Sequence, residues 1–169
     1  MANIAERSAQ MRAMWSDTPW EEVAAFIGPN ADKFRAIWDK QRTLMLNKGR
    51  GIAWGFSWPV FFTSFVWFFY RKQWLIGAVL ILLPIVVVLL MPRVTGAMGG
   101  IGIALAMMSH SLYLQDSMAR IAKIRTAMPV GAERNALLAS TGGVSRLAAG
   151  ISGAFFALSV IGLFVTIFT

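Results

Sequence analysis

The sequence predicts an all-α membrane protein with a cytoplasmic N-terminal helix pair, an aromatic interfacial or re-entrant helix, and three transmembrane helices. Three observations carry this reading. Hydrophobic residues make up 57% of the 169, and only 14% are charged, whereas soluble domains carry about 25% charged residues. Trp74–Met91, Val94–Leu114 and Leu147–Thr169 are runs of 18, 21 and 23 residues without Asp, Glu, Lys or Arg, close to the roughly 20 that cross a hydrocarbon core. Ten of the 21 aromatic residues fall between Trp54 and Tyr70, in a stretch bracketed by Lys48 and Arg50 before it and by Arg71 and Lys72 after it.

Composition narrows the function classes. There is no cysteine, which excludes a disulfide framework, a thiol nucleophile and a Cys-based metal site. The net charge is +8. Here the cations flank apolar runs, so they read as orientation signals and contacts to anionic headgroups, and no nucleic-acid partner is expected. The opening MANIAERSAQ has no apolar core of a secretory signal. The first residues are therefore expected in the cytoplasm.

Residues 1–50 read as cytoplasmic amphipathic helices. Residues 1–15 are loosely amphipathic, a surface helix or a frayed tail. Thr18-Pro19-Trp20-Glu21 predicts a capping box opening a helix that ends at Gly28-Pro29. Asn30 is expected to cap a second helix, along which Phe34, Ile37, Trp38 and Met45 recur at helical spacing.

The aromatic helix is expected over 51–73, a transmembrane hairpin over 74–114, a basic cytoplasmic helix and loop over 115–146, and a C-terminal transmembrane helix over 147–169. The residues allow two placements of the aromatic stretch. If it spans, the cations from Lys33 onward divide seven inside to seven outside. If it dips in and returns, or lies in the interface, they divide thirteen inside to one outside. The positive-inside rule prefers the second placement, which puts the C-terminus across the membrane. Trp54, Trp58, Phe61, Phe62, Phe65, Phe68 and Phe69 share one helical stripe, and Pro59 weakens a straight span.

Gly96 and Gly100 in the second run, and Ala149, Gly153 and Ala157 in the last, are small residues at four-residue spacing that let helices approach closely. They suit contacts within the bundle, self-association or docking on a larger complex. Asp116 and Arg120 form an i,i+4 pair beyond the second run.

His110 is the only histidine, flanked by Ser109 and Ser111. It is a candidate polar site by virtue of lying in an apolar run, and a structural hydrogen bond is the plainer role. No paired carboxylates, phosphate-cradling loop or metal-ligand cluster is present, so no enzyme activity and no cofactor are expected.

Phe26-Ile27-Gly28-Pro29-Asn30-Ala31 followed by Phe34, then Trp58, Phe61, Phe62, Trp67, Tyr70, Arg71 and Lys72, then Gly142-Gly143-Val144-Ser145 form a further pattern. It resembles a family of small bacterial inner-membrane proteins known only as a domain of unknown function, marked by a Trp-rich block ending Trp-x-x-Tyr-Arg-Lys. The likeness covers most of the chain after about Glu22. The chain departs from it at Gly55-Phe56-Ser57-Trp58, where the family has Ser-Trp-Asn-Trp, and at Ser64-Phe65, where it has Gly-Pro. The resemblance implies a protein of the bacterial cytoplasmic membrane, and the cation count puts its C-terminus on the periplasmic side. The resemblance implies a fold and no activity. An accessory or scaffold protein of a larger membrane complex is the leading expectation; a small transporter or channel component is the alternative.

Overall fold

A computed structural model describes residues 4–63, 65–90 and 98–168. Every regular element among them is helical: α1 Ile4–Asp17, α2 Trp20–Ile27, α3 Asp32–Lys48, α4 Trp58–Thr63, α5 Phe65–Tyr70, α6 Trp74–Leu90, α7 Met98–Ala127, α8 Ala132–Thr141 and α9 Arg146–Phe168. The chain divides into two compact units, Met1–Phe56 with Met107–Gly143 and Ser57–Ala106 with Val144–Thr169.

In the first unit α1 packs on α3, and α2 packs on α8. Residues 4–17 are a helix whose Trp15 is fully buried, which resolves the two readings of the N-terminal stretch. Phe34, Ile37, Trp38 and Met45 form the buried stripe of α3, as their spacing predicts. Tyr113, Leu114, Met118 and Ile121 of α7 are buried in the same unit.

Two expected caps are corrected. The Thr18 hydroxyl donates to the Met14 carbonyl at 2.8 Å, bonding back to α1 in place of capping α2, whose N-cap is Pro19. Asn30 takes a left-handed conformation, φ 69°. It accepts from Lys33 through its backbone carbonyl, while Ala31 is the N-cap of α3. The Gly28-Pro29 stop holds: Gly28 closes α2 at φ 71° and donates to the Ala24 carbonyl.

In the second unit α5 packs on both α6 and α9. The helix expected over 51–73 is corrected at its start, since residues 51–57 are non-helical; helix is described over Trp58–Thr63 and Phe65–Tyr70, with Ser64 outside the described residues. The stripe of seven aromatics is broken accordingly, since Trp54 lies outside any helix. The cause is local. The backbone groups of Gly51, Ala53, Gly55 and Ser57 bond to partners distant in sequence, and a segment so engaged cannot also form i→i−4 bonds. Pro59 lacks an N–H and fits only in a first turn.

The run Val94–Leu114 is described from Met98 onward, within α7. From Ala106 onward α7 contributes buried residues, whereas Gly100, Gly102, Ile103 and Ala104 are exposed. Apolarity alone does not tell a lipid-facing helix from one inside a protein core. Pro92-Arg93, the link between the two apolar runs of the expected hairpin, lies outside the described residues. Among the described residues one helix is long and apolar enough to cross a membrane. It falls in Ala132–Gly162, where the break at Gly142-Gly143 leaves the apolar length to α9. α6 is a shorter apolar helix of 17 residues.

Candidate functional site

The stretch leading into the aromatic block is held by side chains of α3 and α7. Gln41 is fully buried in the first unit. Its Nε2 donates to the Gly51 carbonyl at 2.8 Å, and its Oε1 accepts from the Ala53 amide at 2.6 Å. The Ser111 hydroxyl donates to the Ala53 carbonyl, Gln115 Nε2 donates to Gly51 at 3.2 Å, and the Gly55 amide donates to the Met107 carbonyl at 3.0 Å. Backbone groups of Gly51, Ala53 and Gly55 are thus answered by protein groups in place of a helical ladder.

Gln41 was not anticipated, although a signal existed. It stands in the apolar stripe of α3 between Trp38 and Met45, the one polar residue on that face. Ser111 was noticed only as a neighbour of His110.

In the second unit the Ser57 amide donates to the Ala106 carbonyl at 3.0 Å, and the aromatic block follows. Its first half is exposed: Trp58 is 64% and Phe62 62% accessible, with their rings stacked 5.9 Å apart and Phe61 edge-on to both. Its second half turns inward. Trp67 and Phe68 are buried, and the buried Arg71 lies 5.9 Å from the Trp67 ring and 5.7 Å from the Tyr70 ring. Lys72 takes a left-handed conformation, φ 58°, in the turn before α6. Trp54, which belongs to the first unit, is exposed. Of the seven aromatic and basic residues singled out from sequence that lie in the second unit, Trp58, Phe61 and Phe62 are exposed whereas Trp67 and Arg71 are buried.

The remaining candidates separate further. His110 packs edge-on against Phe34, ring centroids 4.8 Å apart, inside the first unit. Gly96 lies outside the described residues. A side chain at Gly100 or Gly153 would meet nothing within 4 Å, Ala157 is exposed, and Ala149 is half-buried. Asp116 and Arg120 do pair, at 2.9 Å.

Two features escaped the sequence. Glu22 is buried on the first turn of α2 and pairs with Arg134 of α8 and, at 3.6 Å, with Arg125 of α7. Arg125 also donates to the Asp17 carbonyl and the Thr18 hydroxyl. The Phe26–Gly28 and Gly142–Gly143 turns also meet. The Gly143 amide donates to the Phe26 carbonyl at 2.7 Å, and a Cβ on Gly142 would collide with that same carbonyl. Two of the three stretches that carry the family resemblance are thus brought together.

Among the described residues no group of three or more His, Asp or Glu side chains could hold a metal ion. No family model matches the chain, and neither a curated protein nor a solved structure is similar to it.

Proposed function

We propose that this chain is a multi-pass protein of the bacterial cytoplasmic membrane with a non-catalytic, accessory or scaffold role. The observation that carries this reading is where the apolar surface lies. Of 26 large hydrophobic side chains exposed among the described residues, 22 belong to the second unit. They are concentrated on α6 and α9. A contiguous apolar exposure of this extent is a membrane or protein contact. At 1.5 Å per residue, α6 and α9 are about 25 and 34 Å long, beside a hydrocarbon core of about 30 Å.

The first unit supports the placement in which the aromatic block does not cross. Spanning would put residues 1–50 and 115–146 on opposite sides of the bilayer. Glu22 pairs with Arg134, Phe26 with Gly143, and Gln41 and Ser111 hold the same carbonyl-rich stretch, so the two segments share one side. Helices α4 and α5 together rise only about 18 Å, short of a crossing. The N-terminal helices and the basic loop are then cytoplasmic, Lys72 and Arg146 sit at the cytoplasmic headgroups, and the C-terminus is periplasmic. The aromatic block lies in the cytoplasmic interface, where Trp and Tyr are favoured. The resemblance to the Trp-rich inner-membrane family fits this arrangement.

The chain has no cysteine, so single cysteines report topology without background. Glu133→Cys is expected to be shielded from an impermeant maleimide in intact cells, and Thr169→Cys to be labelled; the reverse pattern overturns the orientation. Alkaline carbonate should leave the protein in the membrane pellet. For the accessory role, affinity purification in mild detergent is expected to recover one larger complex in fixed stoichiometry, and a lone monomer overturns it.

A further inference from the structure

The second unit contains an apolar cavity of about 410 Å³, walled by Phe65 and Phe69 of α5, Trp74 and Ile81 of α6, and Leu147, Ile151 and Phe155 of α9. Ser152 is its one polar wall residue, and its hydroxyl donates to the Ala148 carbonyl at 2.7 Å, turned back on its own helix. The volume lies within the roughly 300–1,000 Å³ of small-molecule sites. A helix about 10 Å across would fill it with a single turn, so a partner helix is a poor fit and a flexible chain a good one.

The walls have a polar end. The Ser145 amide donates to the Tyr70 carbonyl at 2.8 Å, which ties the start of α9 to the end of α5. Lys72 and Arg146 stand within two residues of that bond, and Arg146 is exposed. From there the walls run along both helices, from Trp74 to Ile81 and from Leu147 to Phe155, about 10–12 Å each. The unit holds four cations and no Asp or Glu. An apolar slot whose walls begin next in sequence to two cations, in a unit without acids, complements one ligand class: a long acyl chain carrying an anionic head.

We propose that this cavity holds an acyl chain of one anionic phospholipid, with its headgroup engaged by Lys72 and Arg146. The inference rests on the membrane reading above and adds a resident lipid to it. The bound chain fills the space between α6 and α9, and the two cations select the headgroup by charge.

The test is native mass spectrometry of the full chain in mild detergent, with phosphatidylglycerol or phosphatidylcholine of matched chains added. One phosphatidylglycerol is expected to be retained per chain in preference to phosphatidylcholine. Lys72→Gln with Arg146→Gln should lower phosphatidylglycerol retention on the order of tenfold and leave phosphatidylcholine unchanged. Ile151→Trp fills the cavity and should abolish retention of both lipids. Val160→Trp, half a turn of the wheel away from Ile151, should retain them. Equal retention of the two lipids, or retention insensitive to Ile151→Trp, overturns the proposal. If Ile151→Trp does not fold, the response of phosphatidylglycerol to the double Gln variant decides alone. Carbonate extraction separates the two readings: a protein that stays in the pellet yet retains no lipid loses the site and keeps its membrane assignment, whereas a protein released from the pellet loses both.

Discussion

The two units solve opposite problems with similar helices. Of the twenty buried hydrophobic residues among those described, fifteen lie in the first unit, where Trp15, Phe26, Phe34 and Met118 form a core. That unit also holds all eight acids, and its buried Glu22 pairs with the buried Arg134 and with Arg125. The second unit turns its large side chains outward and carries cations alone. Pairing spares the core of the first unit an unanswered buried charge, which is costly. A unit with its apolar side chains outward is stable only where the surroundings are apolar too. The same hydropathy therefore carries opposite meaning in the two halves of one chain.

The comparison can be broken at four points. The largest effect is expected at Glu22→Ala, which leaves Arg134 buried and Arg125 without its carboxylate. About 3–5 kcal/mol of stability should be lost, read by the tryptophan fluorescence of the detergent-solubilised protein on heating. An unchanged transition would mean the triad does not hold α2, α7 and α8 together.

Next is Leu158→Asp on α9, set against Leu137→Asp on α8. Both leucines are exposed, at 68% and 36%. In lipid the first costs about 2.5–3.5 kcal/mol near a helix centre, and the second should stay within about 0.5 kcal/mol. Insertion efficiency in membranes reads the first and thermal stability the second; equal and small effects would erase the distinction between the units.

Gln41→Leu removes the partner of the Ala53 amide and one of the two side-chain donors to the Gly51 carbonyl, at about 1–3 kcal/mol. Faster hydrogen exchange at the Ala53 amide, with exchange in α9 unchanged, would localise the loss. The smallest effect is Arg35→Ala, which ends an exposed pair with Asp39 at 3.4 Å and a guanidinium stacked on Trp20 and Trp38. A loss of about 0.5–1 kcal/mol is expected, and a larger one would show that α3 depends on its outer face.

Much of this was legible in the residues and some was not, for physical reasons. Helical content follows from periodicity and from the length of the apolar runs. The stop at Gly28-Pro29 and the Asp116–Arg120 pair follow from local chemistry. What could not be read locally are pairings between distant positions. Glu22 meets Arg134, and Phe26 meets Gly142, across more than a hundred residues, and nothing near either end marks the other. The run from Val94 to Leu114 looked uniform because hydropathy scores lipid and protein core alike. Its division at Ala106 is announced only by Ser109, His110 and Ser111, the polar residues that begin where packing begins. Gln41 was readable in principle, as an amide in an apolar stripe. A buried amide must find partners, and the nearest unpaired backbone belonged to the Gly-rich stretch after α3.

The closure of Phe26 on Gly142–Gly143 also sets an order of events. The first unit is assembled from two segments of chain with residues 57–106 between them. The core face of α2 and the acid of Glu22 stay uncovered until residue 143 has left the ribosome. At roughly 5–20 residues per second, the interval between the end of the first segment and that moment is about 4–17 s. Throughout it, Val23, Phe26 and Ile27 present a sticky surface, while the apolar residues of α6 are already available for insertion. On the proposed membrane reading, insertion of α6 precedes completion of the first unit.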